Sequence, residues 1–163
     1  MQGSVVSEVI PPRKVVVVIP TFNEAGNIEA VIAGVIAALP DASILVVDDN
    51  SPDGTSQIAK EVADRLGQIK VMTRTANRGY AAASRDAMRA AINDSYDVIA
   101  TMDADFSHDP VVLEQLVTRV NENTALVIGS RYVVGGQVTN WPLFRRLLSR
   151  WGNLYTAFCL KLK

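Results

Sequence analysis

Val15-Val16-Val17-Val18-Ile19 is an unbroken run of β-branched residues that ends at Pro20. Such a run is typical of a strand buried on both faces, as in a parallel sheet. The residues that follow, from Ile28 to Leu39, have apolar side chains at steps of three and four, which predicts an amphipathic helix. A buried strand followed by such a helix is the basic unit of an α/β fold.

The remainder of the chain repeats this alternation. We predict further strands at 44–47, 69–73, 97–102 and 125–128, and further helices at 55–66, 80–92, 109–121 and 141–160. Strands that alternate with helices predict an α/β sandwich with a mostly parallel sheet and right-handed crossovers.

The composition is that of a globular protein. The 163 residues carry a net charge of -1, which argues against a nucleic-acid partner. Cys159 is the single cysteine, so no internal disulfide can form and a reducing compartment fits. The longest apolar run, 15–19, is far shorter than the roughly 20 residues of a membrane span. We interpret residues 1–13, which include Pro11-Pro12, as a flexible tail.

The charge is unevenly distributed along the chain. The last acidic residue is Glu122, whereas the region from Arg131 onward contains only basic charges and both tryptophans. The last predicted helix has an apolar stripe of Phe144, Leu147, Leu148, Trp151, Leu154, Tyr155 and Phe158. Basic charge opposite such a stripe is typical of a helix that lies on a membrane surface, and a plain packing helix is the alternative.

Acidic residues follow three of the predicted strands. Glu24 follows the first strand, Asp48-Asp49 the second, and Asp103-Ala104-Asp105 the fourth. Ligands bind at the carboxyl ends of strands in parallel α/β sheets. Five acids at one sheet edge would repel each other unless a cation or a donor-rich ligand joined them. The alternative is that they only cap the helices that follow.

The spacing of Asp103 and Asp105 favours a metal site. Alternate residues of an extended chain point the same way, so both carboxylates can face one ligand. Hard oxygen donors suit Mg²⁺ or Mn²⁺, and either ion can bridge to a diphosphate.

Four motifs carry a family resemblance. They are Pro20-Thr21-Phe22-Asn23-Glu24, Val47-Asp48-Asp49-Asn50-Ser51-Pro52-Asp53-Gly54, Asp103-Ala104-Asp105-Phe106-Ser107-His108-Asp109-Pro110 and Gly129-Ser130-Arg131-Tyr132. In this order and spacing, the chain resembles family 2 glycosyltransferases of the GT-A type, and among them the polyprenol (dolichol) phosphate mannose synthases. The resemblance covers about residues 14–160 and implies a Rossmann-like three-layer sandwich.

The resemblance implies roles for individual residues. Pro20, Phe22 and Glu24 would line the site of the nucleotide base and ribose, although Phe22 could instead be core. Asp49 would accept a hydrogen bond from the base. Asp103 would contact the ribose or the metal, and Asp105 would be the firmest metal ligand and a catalytic residue. Ser107 stands where relatives can have a metal-binding Gln, and His108 is expected to be structural.

An acceptor phosphate would bind to the basic part of the chain. The resemblance places Arg131, Arg145 and Ser149 around it, with Arg131 also catalytic. Arg145 and Ser149 are four residues apart and therefore share one helix face. Arginine recognises phosphate by paired hydrogen bonds. The alternative for Arg145 is a solvated helix face.

The reaction that the resemblance implies is transfer of a hexose, most simply mannose from GDP-mannose, to a polyprenyl phosphate with inversion. The resemblance also implies a nucleotide-sugar donor and a divalent metal (Mg or Mn). It further implies a membrane surface on the cytoplasmic side and a membrane-anchoring partner protein. A non-catalytic nucleotide-sugar-binding subunit is one alternative. A different hexose donor is another, because Asn77–Ala83 differs from the Gly-Leu-Gly-like segment of relatives and Asp86 stands where a small residue is common. A phospho-receiver domain fits poorly, because the acid pair follows the second strand.

We expect three parts in the chain: a tail at 1–13, a nucleotide-sugar-binding core at 14–140 and an acceptor-side interfacial helix at 141–163. Relatives of this kind continue by roughly a third more, so we also expect the domain to be incomplete at its C-terminal end.

Overall fold

The computed structural model describes residues 13–130 and 142–161. The described chain divides into two units, with the division between Val127 and Ile128. The predicted tail, except Arg13, and the predicted boundary at 140–141 lie outside the described residues, so both stay predictions.

Strands and helices alternate in the first unit, as predicted. The strands are β1 (Val15–Thr21), β2 (Ser43–Asp48), β3 (Ile69–Thr73) and β4 (Val98–Thr101). The helices are α1 (Ile28–Ala38), α2 (Thr55–Leu66), α3 (Tyr80–Asn93) and α4 (Leu113–Arg119), the last preceded by a 3-10 turn at Pro110–Val112. The second unit contains α5 (Leu143–Leu160).

The described sheet is parallel, with strand order β3-β2-β1-β4. β1 pairs with β2 over Val16–Thr21 and with β4 over Val15–Val18. β1 is therefore central, and Val16 to Thr21 are all buried, as the β-branched run predicted. The chain runs to β3 on one side of β1 and then crosses to β4 on the other side. This order creates a switch point between β1 and β4, where ligands of open α/β sheets bind.

Two apolar clusters cover the two faces of the sheet. On one face Val17, Ile19 and Val46 pack with α1, α2 and α4. On the other face Val16, Val18 and Val47 pack with the alanines of α3. The predicted three-layer sandwich is confirmed.

Two predicted elements differ from the structure. The helix predicted at 109–121 is a 3-10 turn at Pro110–Val112 followed by the shorter α4, and Asp109 caps the turn by accepting from the Val111 amide at 3.0 Å. The strand predicted at 125–128 is wrong: these residues have no strand pairing, and Leu126 and Ile128 are each 74% exposed. A short apolar run takes strand geometry only when a neighbouring strand pairs with it.

Candidate active site at the switch point

A cavity of about 610 Å³ lies at the carboxyl ends of β1, β2 and β4. It contains every residue that we predicted to bind nucleotide or metal. Its lining residues are Pro20, Thr21, Phe22, Glu24, Asp49, Arg78, Gly79, Tyr80, Ala83, Asp103, Ala104 and Asp105. The three acidic strand ends therefore meet at one edge, as the parallel sheet required.

Asp48 does not take part in the cavity. Its carboxylate is fully buried and accepts hydrogen bonds from the Thr21 hydroxyl at 3.1 Å and from the Ser51 amide at 2.9 Å and hydroxyl at 2.5 Å. The Ser51 hydroxyl in turn accepts from the Asn23 amide at 2.9 Å. Asp48 thus joins the loop after β1 to the loop after β2. Of the five acids predicted at this edge, Asp48 therefore does not line the cavity, because its oxygens are satisfied inside the turn.

Asp49 lines the cavity, and its carboxylate is bound by other groups of the protein. Its carboxylate accepts hydrogen bonds from the Arg74 guanidinium and from the Gly79 amide, the latter at 2.5 Å. Asp49 and Arg74 are both buried, with 5% and 7% exposed. A buried charge is tolerated only when it is paired and hydrogen-bonded, and this pair meets both conditions.

Arg74 organises the segment that forms one wall of the cavity. Its guanidinium also bonds Asp86 of α3 at 3.0 Å and the carbonyl of Asn77 at 2.8 Å. Asn77 and Gly79 have φ angles of 51° and 122°. The Gly79 value lies in a region that side chains with a Cβ rarely adopt, so the turn depends on glycine there. Asp86 pairs with Arg74 and does not line the cavity.

Arg78 and Phe22 form a second feature of this wall. Arg78 donates to the carbonyls of Asp49 at 2.8 Å and Asn50 at 3.0 Å, and its guanidinium carbon lies 5.1 Å from the centre of the Phe22 ring. This distance is typical of a cation–π contact. Phe22 is 52% exposed, so the alternative that it is core is wrong. A flat ring beside a fixed guanidinium suits a planar, polar ligand group.

Glu24 belongs to the loop between β1 and α1. Its amide donates to the Thr55 hydroxyl at 2.9 Å, which ties this loop to the start of α2. Its carboxylate accepts from the Asn27 amide group at 2.9 Å. Glu24 and Pro20 line the cavity. Their predicted contacts with base and ribose stay predictions.

Asp103 and Asp105 lie in a tight turn after β4. The Asp103 amide donates to His108 Nδ1 at 3.1 Å, and the Ser107 amide donates to Asp105 Oδ1 at 2.9 Å. Hydrogen bonds from the Ser107 hydroxyl and amide lower the pKa of Asp105 and favour its ionised form. Ser107 therefore supports Asp105. Loss of hydration, the charge of Asp103 and a hydrogen bond from the Tyr80 hydroxyl to the Asp103 carboxylate raise the pKa of Tyr80, which keeps that hydroxyl protonated.

These two carboxylates fit a hard divalent cation. No group of three His, Cys, Asp or Glu side chains that could hold a metal occurs in the described part of the chain. A cation such as Mg²⁺ nevertheless binds through one or two carboxylates and completes its shell with substrate phosphates and waters. Asp103 and Asp105 would supply the two carboxylates, and the donor set is entirely oxygen.

Two of the three residues predicted to hold an acceptor phosphate are described, and both belong to the second unit. Arg131 lies outside the described residues. Arg145 and Ser149 lie one turn apart on α5, as predicted. The apolar stripe of α5 is exposed along its length, from 60% at Leu147 to 83% at Phe158. Among the described helices, none has the length and apolar character that crossing a bilayer requires.

Arg74 and Arg78 were missed by the sequence reasoning. The site prediction rested on acidic residues at strand ends, whereas Arg74 is a basic residue that directly follows the end of β3 at the same sheet edge. The sequence signal that could have identified Arg74 is a basic residue directly after a strand, at a sheet edge rich in acids.

Comparison with known proteins agrees with the geometry. Residues 16–162 match the family described as Glycosyl transferase family 2, which is nearly the whole chain. The chain belongs to this family.

The names of three curated relatives refer to mannose transfer and to a polyprenol, dolichol or undecaprenyl phosphate. A polyprenol monophosphomannose synthase from Mycolicibacterium smegmatis is 43% identical over 92% of this chain and 57% of its own length. A dolichol-phosphate mannosyltransferase from Pyrococcus furiosus is 40% identical over 84% of this chain and 38% of its own. An undecaprenyl-phosphate mannosyltransferase from Micrococcus luteus is 39% identical over 91% and 61%. The chain thus spans between about two fifths and three fifths of these relatives.

Solved structures confirm the GT-A type of fold. A mannosyltransferase from Pyrobaculum calidifontis, in complex with GDP-Man and Mn²⁺, superposes with a TM-score of 0.51 at 28% identity over 57% of this chain and 28% of its own. A glucosyl-3-phosphoglycerate synthase from Mycobacterium tuberculosis, also with Mn²⁺, gives 0.50 at 24% identity over 65% and 39%. Both of these neighbours were crystallised with Mn²⁺.

The buried Asp49–Arg74 pair yields a test of how the cavity wall is held. We expect Arg74→Met to lower the free energy of unfolding by about 3–5 kcal/mol, because it leaves the Asp49 carboxylate buried without its cation. Urea denaturation at neutral pH measures the loss.

Arg65→Met is the matched control, because Arg65 forms an ion pair with Glu29 in which both side chains are 61% exposed. Removal of an exposed pair costs about 1 kcal/mol or less. Equal losses in the two variants would contradict the role given to Arg74.

Proposed function

We propose that this chain is the donor-binding part of an inverting glycosyltransferase that moves mannose from GDP-mannose to a polyprenyl phosphate. The observation that carries the proposal is the cavity at the switch point, where Phe22, Asp49 and the pair Asp103 and Asp105 line one space. The names of the relatives and the GDP-Man complex of a structural neighbour support the same donor and acceptor.

Each part of a nucleotide-sugar has a candidate partner in the cavity. The base would lie by Phe22 and Arg78, with Asp49 as an acceptor for its N–H groups. Glu24 and Asp103 would accept from the ribose hydroxyls. Asp103 and Asp105 would hold the divalent cation, Mg²⁺ or Mn²⁺, which would act as a Lewis acid on the leaving diphosphate.

The chain's own residues would act mainly by positioning. A phosphate monoester has a second pKa near 6, so the acceptor is already nucleophilic at neutral pH and needs no strong base. Correct orientation of acceptor and donor can supply much of the rate. Arg131, Arg145 and Ser149 are our candidates to bind the acceptor phosphate, because guanidinium groups bind phosphate bidentately.

A thermal-shift panel tests the donor. We expect GDP-mannose with Mn²⁺ to raise the melting temperature more than UDP- or dTDP-sugars do, since stabilisation follows affinity and reaches about 2.7 kcal/mol at 100 times Kd. A larger shift with another nucleotide would contradict the GDP assignment. A larger shift with another GDP-hexose would favour the alternative of a different sugar.

Asp105 is the residue on which turnover should depend most. We expect Asp105→Ala to lower mannose transfer from GDP-mannose to a polyprenyl phosphate by about 100-fold or more, the scale on which lost electrostatic stabilisation acts. Formation of radiolabelled lipid-linked mannose by the full chain measures it. Asp64→Ala, which removes an exposed carboxylate of α2, is the control and should retain activity. Full activity of the Asp105 variant would refute the role.

We further propose that α5 binds the surface of the membrane that carries the acceptor, on its cytoplasmic face, with or without an anchoring partner protein. Its apolar stripe is exposed, and Arg145 and Arg150 lie off the stripe. Aromatic and leucine side chains opposite basic ones are the pattern of an interfacial helix.

Vesicle flotation of the full chain tests this surface. We expect Trp151→Ser and Phe158→Ser each to weaken binding to vesicles with anionic lipids about tenfold or more, since burial of a large apolar side chain contributes about 1.5–3 kcal/mol. Asn153→Ser, off the stripe of the same helix, should leave flotation unchanged. Equal binding by the three variants and the parent would contradict the proposal.

A further inference from the structure

The turn after β4 has a feature that neither the metal assignment nor the donor assignment explains. At the end of β4 the Met102 amide donates to the Val18 carbonyl of β1 at 3.1 Å. The amide of the next residue, Asp103, donates instead to the side chain of His108, to Nδ1 at 3.1 Å.

His108 therefore takes the place of a strand neighbour for Asp103. β1 is the one strand that pairs with β4 in the described residues. Without the imidazole acceptor, the Asp103 amide would lose its protein partner and the chain could leave the sheet in several directions. The bond fixes the residue at the point where the strand ends and the turn begins.

The same ring makes no hydrogen bond to the Asp103 carboxylate. Because Nδ1 accepts the amide proton, the neutral ring carries its own proton on Nε2. Asp103 Oδ2 lies 3.8 Å from Nδ1, beyond hydrogen-bonding distance. The ring thus orients the Asp103 backbone while giving no proton to its carboxylate.

The remainder of the turn is held independently. Phe106 has a φ of 57°, and the Ser107 amide bonds to Asp105 Oδ1 at 2.9 Å. Asp105 is therefore fixed by the turn itself, whereas Asp103 is fixed by His108. The backbone of Asp103 and the side chain of Asp105 are thus held by two different contacts.

We propose that His108 is a positioning residue for the divalent cation, acting through the backbone of Asp103. This inference rests on the proposed metal site at Asp103 and Asp105. His108 does not bind the metal, and its essential atom is the acceptor Nδ1.

Two substitutions of His108 distinguish the effect of its hydrogen-bond acceptor from the effect of its ring. His108→Leu keeps similar bulk but removes the acceptor. His108→Asn places an amide oxygen near the position of Nδ1 and keeps the acceptor. Electron paramagnetic resonance of free Mn²⁺, with the full chain and GDP, measures the Mn²⁺ affinity without any turnover.

We expect His108→Leu to raise the Kd for Mn²⁺ by about 10-fold or more, the scale on which residues behind metal ligands act. His108→Asn should stay within about threefold of the parent. GDP binding without metal and the melting temperature should be little changed in both variants, which shows that the cavity is still folded.

Two results would overturn the inference. One is an unchanged Mn²⁺ affinity in His108→Leu. The other is an equal loss in both variants, which would assign the effect to the ring and not to the acceptor at Nδ1. If the parent chain with GDP binds no Mn²⁺, the metal assignment in the proposed function fails, and this inference fails with it. Binding by the parent with either of the first two results refutes the inference alone.

Discussion

The central position of β1 in a parallel sheet is the constraint on which the site depends. β1 pairs with β2 on one edge and with β4 on the other, so the carboxyl ends of all three strands meet. α1, α2 and α4 pack on one face, while α3, which leads to β4, packs on the other. The order of strand addition therefore reverses between β1 and β4, and the cavity lies at the carboxyl ends of the strands there.

The carboxylates at this edge of the sheet would repel each other if all of them faced the same solvent-filled space. The acids differ in the groups that pair with or hydrogen-bond to their carboxylates. Asp48 is enclosed by turn donors, and Asp49 is paired with Arg74. Asp103 and Asp105 remain as the carboxylates without a buried cationic partner among the described residues, with Ser107 and His108 in the same turn and Tyr80 of α3 beside Asp103. The edge therefore has a neutralised side, suited to a base, and an anionic side, suited to a cation.

Much of the fold could be predicted because it depends on local patterns. The run at 15–19 and the helical periodicity after it specify buried and half-buried elements without knowledge of their neighbours. The strand predicted at 125–128 failed because its apolar run needed a pairing partner, which local sequence does not reveal. Asp48 and Asp49 are adjacent and chemically identical, so sequence could not separate the structural one from the one that faces the cavity.

By itself, the sequence determined the α/β class, the three acidic strand ends and the membership of a glycosyltransferase family, because periodicity and motif order are properties of the linear chain. Only the tertiary structure decided which acids share a cavity and which are neutralised. Arg74 meets Asp49 and Asp86 through contacts that span 25 and 12 positions, and only the packed fold specifies such contacts. His108 supports Asp103 for a related reason: the bond forms only where the sheet edge ends and the chain turns back on itself.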